Sequence, residues 1–174
     1  MARKTARKMP RKLAPDLHIP PPAQQRDICF GCGPANTEGL QLKFALSQSS
    51  KSYVCEFSLA PRFVGPPGHA HGGIIATILD EAMSKANKLK AAELNSRAAL
   101  TRLLQIEYLR PVPLGQPLIA EGQVSRMKGR ILYSRADLRN AAGDVLARGR
   151  GKFLAVNAER MFARELQAER RSTP

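Results

Sequence analysis

The residues with the clearest chemical potential share one stretch, GHAHGGIIATILDEAMSKANKL (68–89). His69 and His71 precede the glycine pair Gly72 and Gly73, and two adjacent acids, Asp80 and Glu81, follow inside an otherwise apolar segment. The apolar positions 74, 75, 78, 79, 82, 83, 86 and 89 have helical spacing and a wide apolar face. They predict a mostly enclosed helix from Gly73 to about Ala92, with its polar end, KANKLKAAE, emerging into solvent. A helix start presents unpaired N–H groups and a positive dipole end, which can hold an oxygen that gains charge during acyl transfer. Glycine lets a carbonyl approach that backbone closely, so the Gly72 N–H, with Gly73 as a second donor, is the candidate. A carboxylate in an apolar helix is costly unless it is paired or used. Asp80 could activate a water or attack directly. Alternatively, Asp80 or Glu81 lies at an exposed helix edge or pairs with Lys85, and Glu81 either supports the site or faces solvent.

Spacing adds a constraint. Eight residues of helix rise about 12 Å, so a carbonyl held at Gly72 is out of reach of a water bound to Asp80 of the same chain. Two antiparallel copies side by side bring one chain's glycine to the other chain's aspartate. The spacing therefore predicts an obligate homodimer with two sites at its interface.

These residues need a scaffold. Upstream, GLQLKFALS (39–47) and KSYVCEFSLA (51–60) alternate apolar and polar residues around a polar SQSS and read as strand, turn, strand. PRFVGPPGHAHGG is an irregular connection. After the helix come four strand-like segments, at 98–110, 116–128, 130–140 and 145–156, separated by PVPLG, a KGR hairpin tip and AAGD. Short links predict neighbouring antiparallel strands. An enclosed helix among six strands requires a sheet curled around it, so the fold class is α+β.

The totals exclude several classes. The chain's 174 residues, 43% hydrophobic, suit one domain. No apolar run reaches the roughly 20 residues of a membrane helix, and MARKTARKMPRKLAP lacks the apolar core of a secretory signal. A cytoplasmic location is expected. The net charge is +14, and six of the cations, Arg3, Lys4, Arg7, Lys8, Arg11 and Lys12, crowd the N-terminal tail, 1–27, ahead of a triple proline. Such a tail is expected to be disordered, with at most weak polyanion contact, and 158–174 to form a polar helix or tail. The body, 28–157, has no signature of specific nucleic-acid binding. Cys29 and Cys32 have C-x-x-C spacing and could in principle bind zinc with His69 and His71. The H-x-H pair lies in a glycine- and proline-rich turn without a nearby acid, and a tight turn packing small sulfur side chains is the expectation, with no metal.

The HGG at 71–73, the acids seven and eight residues after Gly73, and the motifs CFGCGPANTEGLQLKF, IEYLRPVPLG and ARGRGKF resemble the hotdog-fold acyl-CoA thioesterases of the PaaI type. The resemblance covers about residues 29–156. It implies a curved antiparallel sheet around one long central helix, hydrolysis of an acyl-CoA to free acid and coenzyme A without a cofactor, and dimers often paired into homotetramers. It also places Asp80 as base or nucleophile and Gly72 at the carbonyl. His71 would orient the loop or help at the carbonyl, and Thr101 would supply a hydroxyl that helps hold the water. Some relatives carry Asn or Gln where this chain has Gly65, so a carbonyl or water ligand is expected to be missing. The phosphates of coenzyme A could sit on Arg126, Lys128, Gly129 and Arg130 of the hairpin and on Arg110. Ile74, Ile75, Ile78 and Met83 could line an acyl tunnel or serve as core. The competing reading is a non-catalytic hotdog module that binds acyl-CoA as a sensor or scaffold. A hotdog dehydratase or hydratase places its catalytic residues differently.

Overall fold

The computed structural model describes residues 28–47, 50–96 and 98–157. The tail readings for 1–27 and 158–174 lie outside these residues. The described chain runs β1 (Ala45–Ser47), β2 (Ser52–Phe57), a short 3₁₀ turn (Pro61–Phe63), α1 (Gly72–Ala92), β3 (Ala98–Tyr108), β4 (Leu118–Lys128), β5 (Ile131–Asn140) and β6 (Val145–Val156). All six strands join one antiparallel sheet in the order β1-β2-β4-β5-β6-β3, with α1 packed on one face.

The wide apolar face of α1 explains its place. Ile78, Leu79, Ala82 and Met83 are fully buried against Leu132, Leu138 and Phe153 of the sheet. Contact is closest at Gly122 on β4, where a Cβ would collide with the Ala82 carbonyl. Only glycine lets the two backbones meet there. Ile75, Ile78 and Met83, considered as tunnel lining, are core.

Two expectations are corrected. The segment 39–47 is a strand only from Ala45. Gln41 has φ 48, and the Leu40 and Leu42 amides bond to the Phe30 and Gly31 carbonyls, so 39–44 pairs with the cysteine turn instead of the sheet. The PVPLG link does not join neighbours either. It carries the chain from β3, at one edge beside β6, to β4 beside β2. Three strand spacings of about 4.8 Å must be crossed, well within the reach of residues 109–117. The link is held to the loop before α1 by Ala70 N–H to Val112 O (2.9 Å), Leu114 N–H to Gly68 O (3.1 Å) and Gly115 N–H to Leu59 O (2.9 Å). That crossing leaves β3 as an 11-residue edge strand. Among the described residues, no helix is long and apolar enough to cross a membrane.

Candidate active site

The start of α1 is built by His71. Its backbone is extended (φ −64, ψ 139), and its Nδ1 accepts the Gly73 N–H at 3.0 Å, while the Ile74 and Ile75 amides reach its carbonyl. This is N-capping by a ring nitrogen. The Gly73 N–H, read as a possible second donor, is thereby used within the helix. The Gly72 N–H has no partner among the described residues. With Nδ1 accepting, the neutral imidazole carries its proton on Nε2. His69 lies apart from this cap, its Nδ1 2.9 Å from Pro67 O.

Two turns further along, the Thr101 hydroxyl donates to Asp80 Oδ1 at 2.9 Å. Among the described residues Asp80 has no ion pair. Burial raises its pKa above the ordinary aspartate value, the Thr101 hydrogen bond partly offsets this, and the adjacent Glu81 charge adds to the rise. The neighbouring acid is treated differently, since Glu81 Oε1 lies 3.0 Å from Lys85 Nζ. Of the two placements considered for Asp80, pairing with Lys85 belongs to Glu81 instead.

A residue that sequence reasoning missed completes the arrangement. Tyr108 Oη donates to Gly72 O at 3.0 Å, and its ring covers the Gly72 Cα. Thr101 and Tyr108 are seven residues apart on β3, and strict alternation would put them on opposite faces. A bulge between Thr101 and Leu103 shifts the alternation by one, so both face α1. One strand therefore holds the carboxylate with one residue and the helix start with another. IEYLRP shows a tyrosine in the sequence, but nothing in it marks the bulge.

The position expected to lack a ligand, Gly65, has no room for one. Its N–H bonds His69 O at 2.9 Å, and a Cβ there would lie 2.7 Å from the His71 Cα. The loop itself fills that place.

The cationic positions are dispersed. Arg126 stacks on Tyr133, 4.1 Å from its ring centre, on the sheet face opposite α1. Arg130 Nε and Nη2 donate to Ala155 O at 3.0 and 2.8 Å, and Gly129 makes the hairpin tip with φ 56. Arg110 pairs with Asp144 at 3.0 Å. Lys128 is exposed at the end of β4. A groove of about 810 Å³ also runs along the outer face, lined by Gln105, Gln123, Tyr133, Arg135, Arg150 and Lys152. It does not include Asp80, so cavity size and carboxylate chemistry point to different faces. The carboxylate is the stronger marker, because an uncompensated half-buried charge needs a reason and a basic sheet surface does not.

The thioesterase superfamily model matches residues 67–147, from the loop before α1 into β6. A crystal structure of a thioesterase superfamily protein is 30% identical with TM-score 0.61, covering 70% of this chain and 60% of that one. The chain has the hotdog fold and is similar to the thioesterase superfamily over these residues. The Escherichia coli PaaI protein of the phenylacetic acid degradation operon shares the hotdog fold at TM-score 0.60 and 20% identity, covering 70% of this chain and 84% of that one. The acyl-coenzyme A thioesterase THEM4 of Xenopus laevis is 26% identical over 122 residues, 69% of this hotdog chain and 53% of that protein. The chain thus spans about half the length of THEM4.

Proposed function

We propose that this protein hydrolyses acyl-CoA thioesters to a free carboxylic acid and coenzyme A. The observation that carries the reading is Asp80, a half-buried carboxylate with a raised pKa, held among the described residues by one hydroxyl and no cation, two turns after the unpartnered Gly72 N–H. In this reading the Gly72 N–H binds the thioester oxygen as it gains charge, helped by the α1 dipole. Asp80 takes a proton from a water held with Thr101, and that water's oxygen forms the new C–O bond. The C–S bond then breaks, and the thiolate of coenzyme A leaves and takes up the proton. Attack by Asp80 itself would give an anhydride that water opens to the same products. His71, through its Nε2 proton, stands beside the same oxygen.

The two groups lie about 12 Å apart along one helix, so the reading includes a second copy whose Gly72 faces this chain's Asp80. The β3 edge supports this: its outer backbone groups are open, and Leu100 and Leu103 are 39% and 43% exposed. Pairing of dimers into tetramers belongs to the same proposal. For the coenzyme phosphates, Lys128 and Arg126 are the hairpin cations best able to contribute, because Arg130 and Arg110 already bond to the protein.

The test is thiol release from acyl-CoAs with short, long and aryl-acetyl groups, for the wild type and Asp80→Ala. Activity that falls by about a hundredfold or more in the variant is expected, the scale of losing a general base. A wild type that binds coenzyme A derivatives and hydrolyses none of them would overturn the reading in favour of an acyl-CoA-binding module.

A further inference from the structure

The C-x-x-C turn lies against α1 on the flank away from Thr101. Cys29 Sγ, Cys32 Sγ and a Glu81 carboxylate oxygen lie within 4.8 Å of one another, all partly buried. The histidines considered as their partners from the sequence are engaged elsewhere, and the acid that the sequence did not place nearby comes from the helix. We propose that Cys29, Cys32 and Glu81 bind a zinc ion that fastens the 28–42 turn to α1, with Lys85 balancing the surplus negative charge of the three ligands.

Three features argue for a built site. First, the donors suit the metal: two thiolates and one carboxylate favour zinc over calcium or magnesium, with a water completing a tetrahedron. Zinc–sulfur bonds of about 2.3 Å and zinc–oxygen bonds of about 2.0 Å place such ligand atoms roughly 3.5–4 Å apart, so the cluster needs to contract by at most about 1 Å. Second, the turn is fixed before any ion arrives. Gly33 N–H bonds Cys29 O at 2.8 Å, Leu42 N–H bonds Gly31 O at 2.9 Å, and a Cβ at Gly31 would lie 2.8 Å from Glu81 Oε2. Glycine between the cysteines thus lets the carboxylate reach the turn. Third, a cation already occupies the cluster. Lys85 Nζ lies 2.9 Å from Cys32 Sγ and 3.0 Å from Glu81 Oε1, on a flexible stem that can swing outward. Loading replaces two thiol protons with one dication, so the cluster stays electrically neutral with Lys85 beside it.

The readout is metal rather than activity, so this proposal stands or falls separately from the thioesterase reading. The full chain is purified with a non-chelating reductant, its free thiols are counted, and it is titrated with cobalt(II) and then zinc. About one ion per chain is expected, with an intense thiolate-to-cobalt charge-transfer band that zinc abolishes. Cys32→Ser should lose the band, and Glu81→Gln should weaken zinc binding at least about tenfold. Both variants should keep the wild-type circular dichroism without metal. A reduced wild type without the band overturns the proposal, and so does a Cys32→Ser or Glu81→Gln variant that binds as tightly as wild type.

Discussion

Two aspartates on opposite sides of the sheet show how differently one fold can treat the same group. On the outer face, Asp137 of β5 lies 2.6 Å from Arg139 Nη2 and 2.9 Å from Arg148 Nε. On the inner side, Asp80 has one hydroxyl and its burial raises the pKa. Asp137 is neutralised as surface ion pairs are, whereas Asp80 is left with unmet electrostatic demand beside an open strand edge. The difference sets a charge that the fold neutralises against one that it leaves available, which is the one the proposed function uses.

The sharpest way to break the comparison is to neutralise each acid in turn. Asp80→Asn should lower kcat/KM for acyl-CoA by about a hundredfold or more, the range of a lost general base. Its melting temperature at neutral pH should hold or rise. The sign follows from linkage: a raised folded-state pKa means that the ionised form is disfavoured in the fold, so this group's contribution is lost as pH rises through that pKa, and the uncharged amide removes the cost. Asp137→Asn should do the opposite, keeping kcat/KM within about twofold while lowering the melting temperature. Thermal melts beside thiol-release assays separate the two, and equal activity losses would dissolve the distinction.

A second prediction concerns the other half of the site. Proline is tolerated at the first position of a helix and carries no N–H, and His71 already has the extended backbone that a following proline requires. Gly72→Pro should therefore fold, yet lose about a hundred- to a thousandfold in kcat, the scale of a deleted oxyanion donor. When Asp80→Asn and Gly72→Pro chains are co-refolded in equal amounts, half the dimers are mixed and one of their two sites is intact. About a quarter of the wild-type activity should return, by combination of the two one-half probabilities that follow from closed two-fold pairing. If activity stays at the level of the separate variants, the site does not draw on two chains.

Much of this was legible in the sequence for a physical reason. The 3.6-residue period of the Ile74–Leu89 apolar positions had to give an enclosed helix, and α1 differs from the expected span only by starting at Gly72. Thr101 was named from the resemblance alone, as a hydroxyl that helps hold the water, and its bond to Asp80 crosses from strand to helix where spacing gives no guide. What stayed hidden depends on long-range pairing. Link length did not disclose that the chain crosses from β3 at one edge to β4 beside β2, because tight turns and an extended crossover can use similar numbers of residues. The bulge at Arg102 leaves no period to read, so Tyr108 was assigned no role. Glu81 could not be matched with the cysteines, since their contact depends on how the 28–42 turn folds back onto α1.

Thr101 tests the middle of the scale. Thr101→Val removes a hydrogen bond to a charged group, so kcat/KM should fall by about tenfold at neutral pH. In the proposed mechanism activity requires the ionised carboxylate, so it should be lost as pH falls through the Asp80 pKa. The Thr101 bond lowers that pKa, so its removal should shift the acid limb of the profile to higher pH. A loss of rate with an unmoved limb would mean that the hydroxyl holds the water without tuning the acid.

Within the candidate site, the smallest effect is expected at Tyr108. Its hydroxyl meets the Gly72 carbonyl, which points along the helix, away from any oxygen held by the Gly72 N–H. It therefore acts by fixing the first turn of α1 and does not touch the reacting atoms. Tyr108→Phe keeps the ring over Gly72 and removes one exposed hydrogen bond, so kcat should fall by only about two- to fivefold, with KM nearly constant. Tyr108→Ala should cost more, because ring packing against the glycine is lost as well. If Phe and Ala behave alike, the hydroxyl rather than the ring sets the position of the helix start. If Phe is indistinguishable from wild type while Ala is impaired, the ring alone suffices. Either result would show how far one edge strand, through a single bulge, governs both ends of the site.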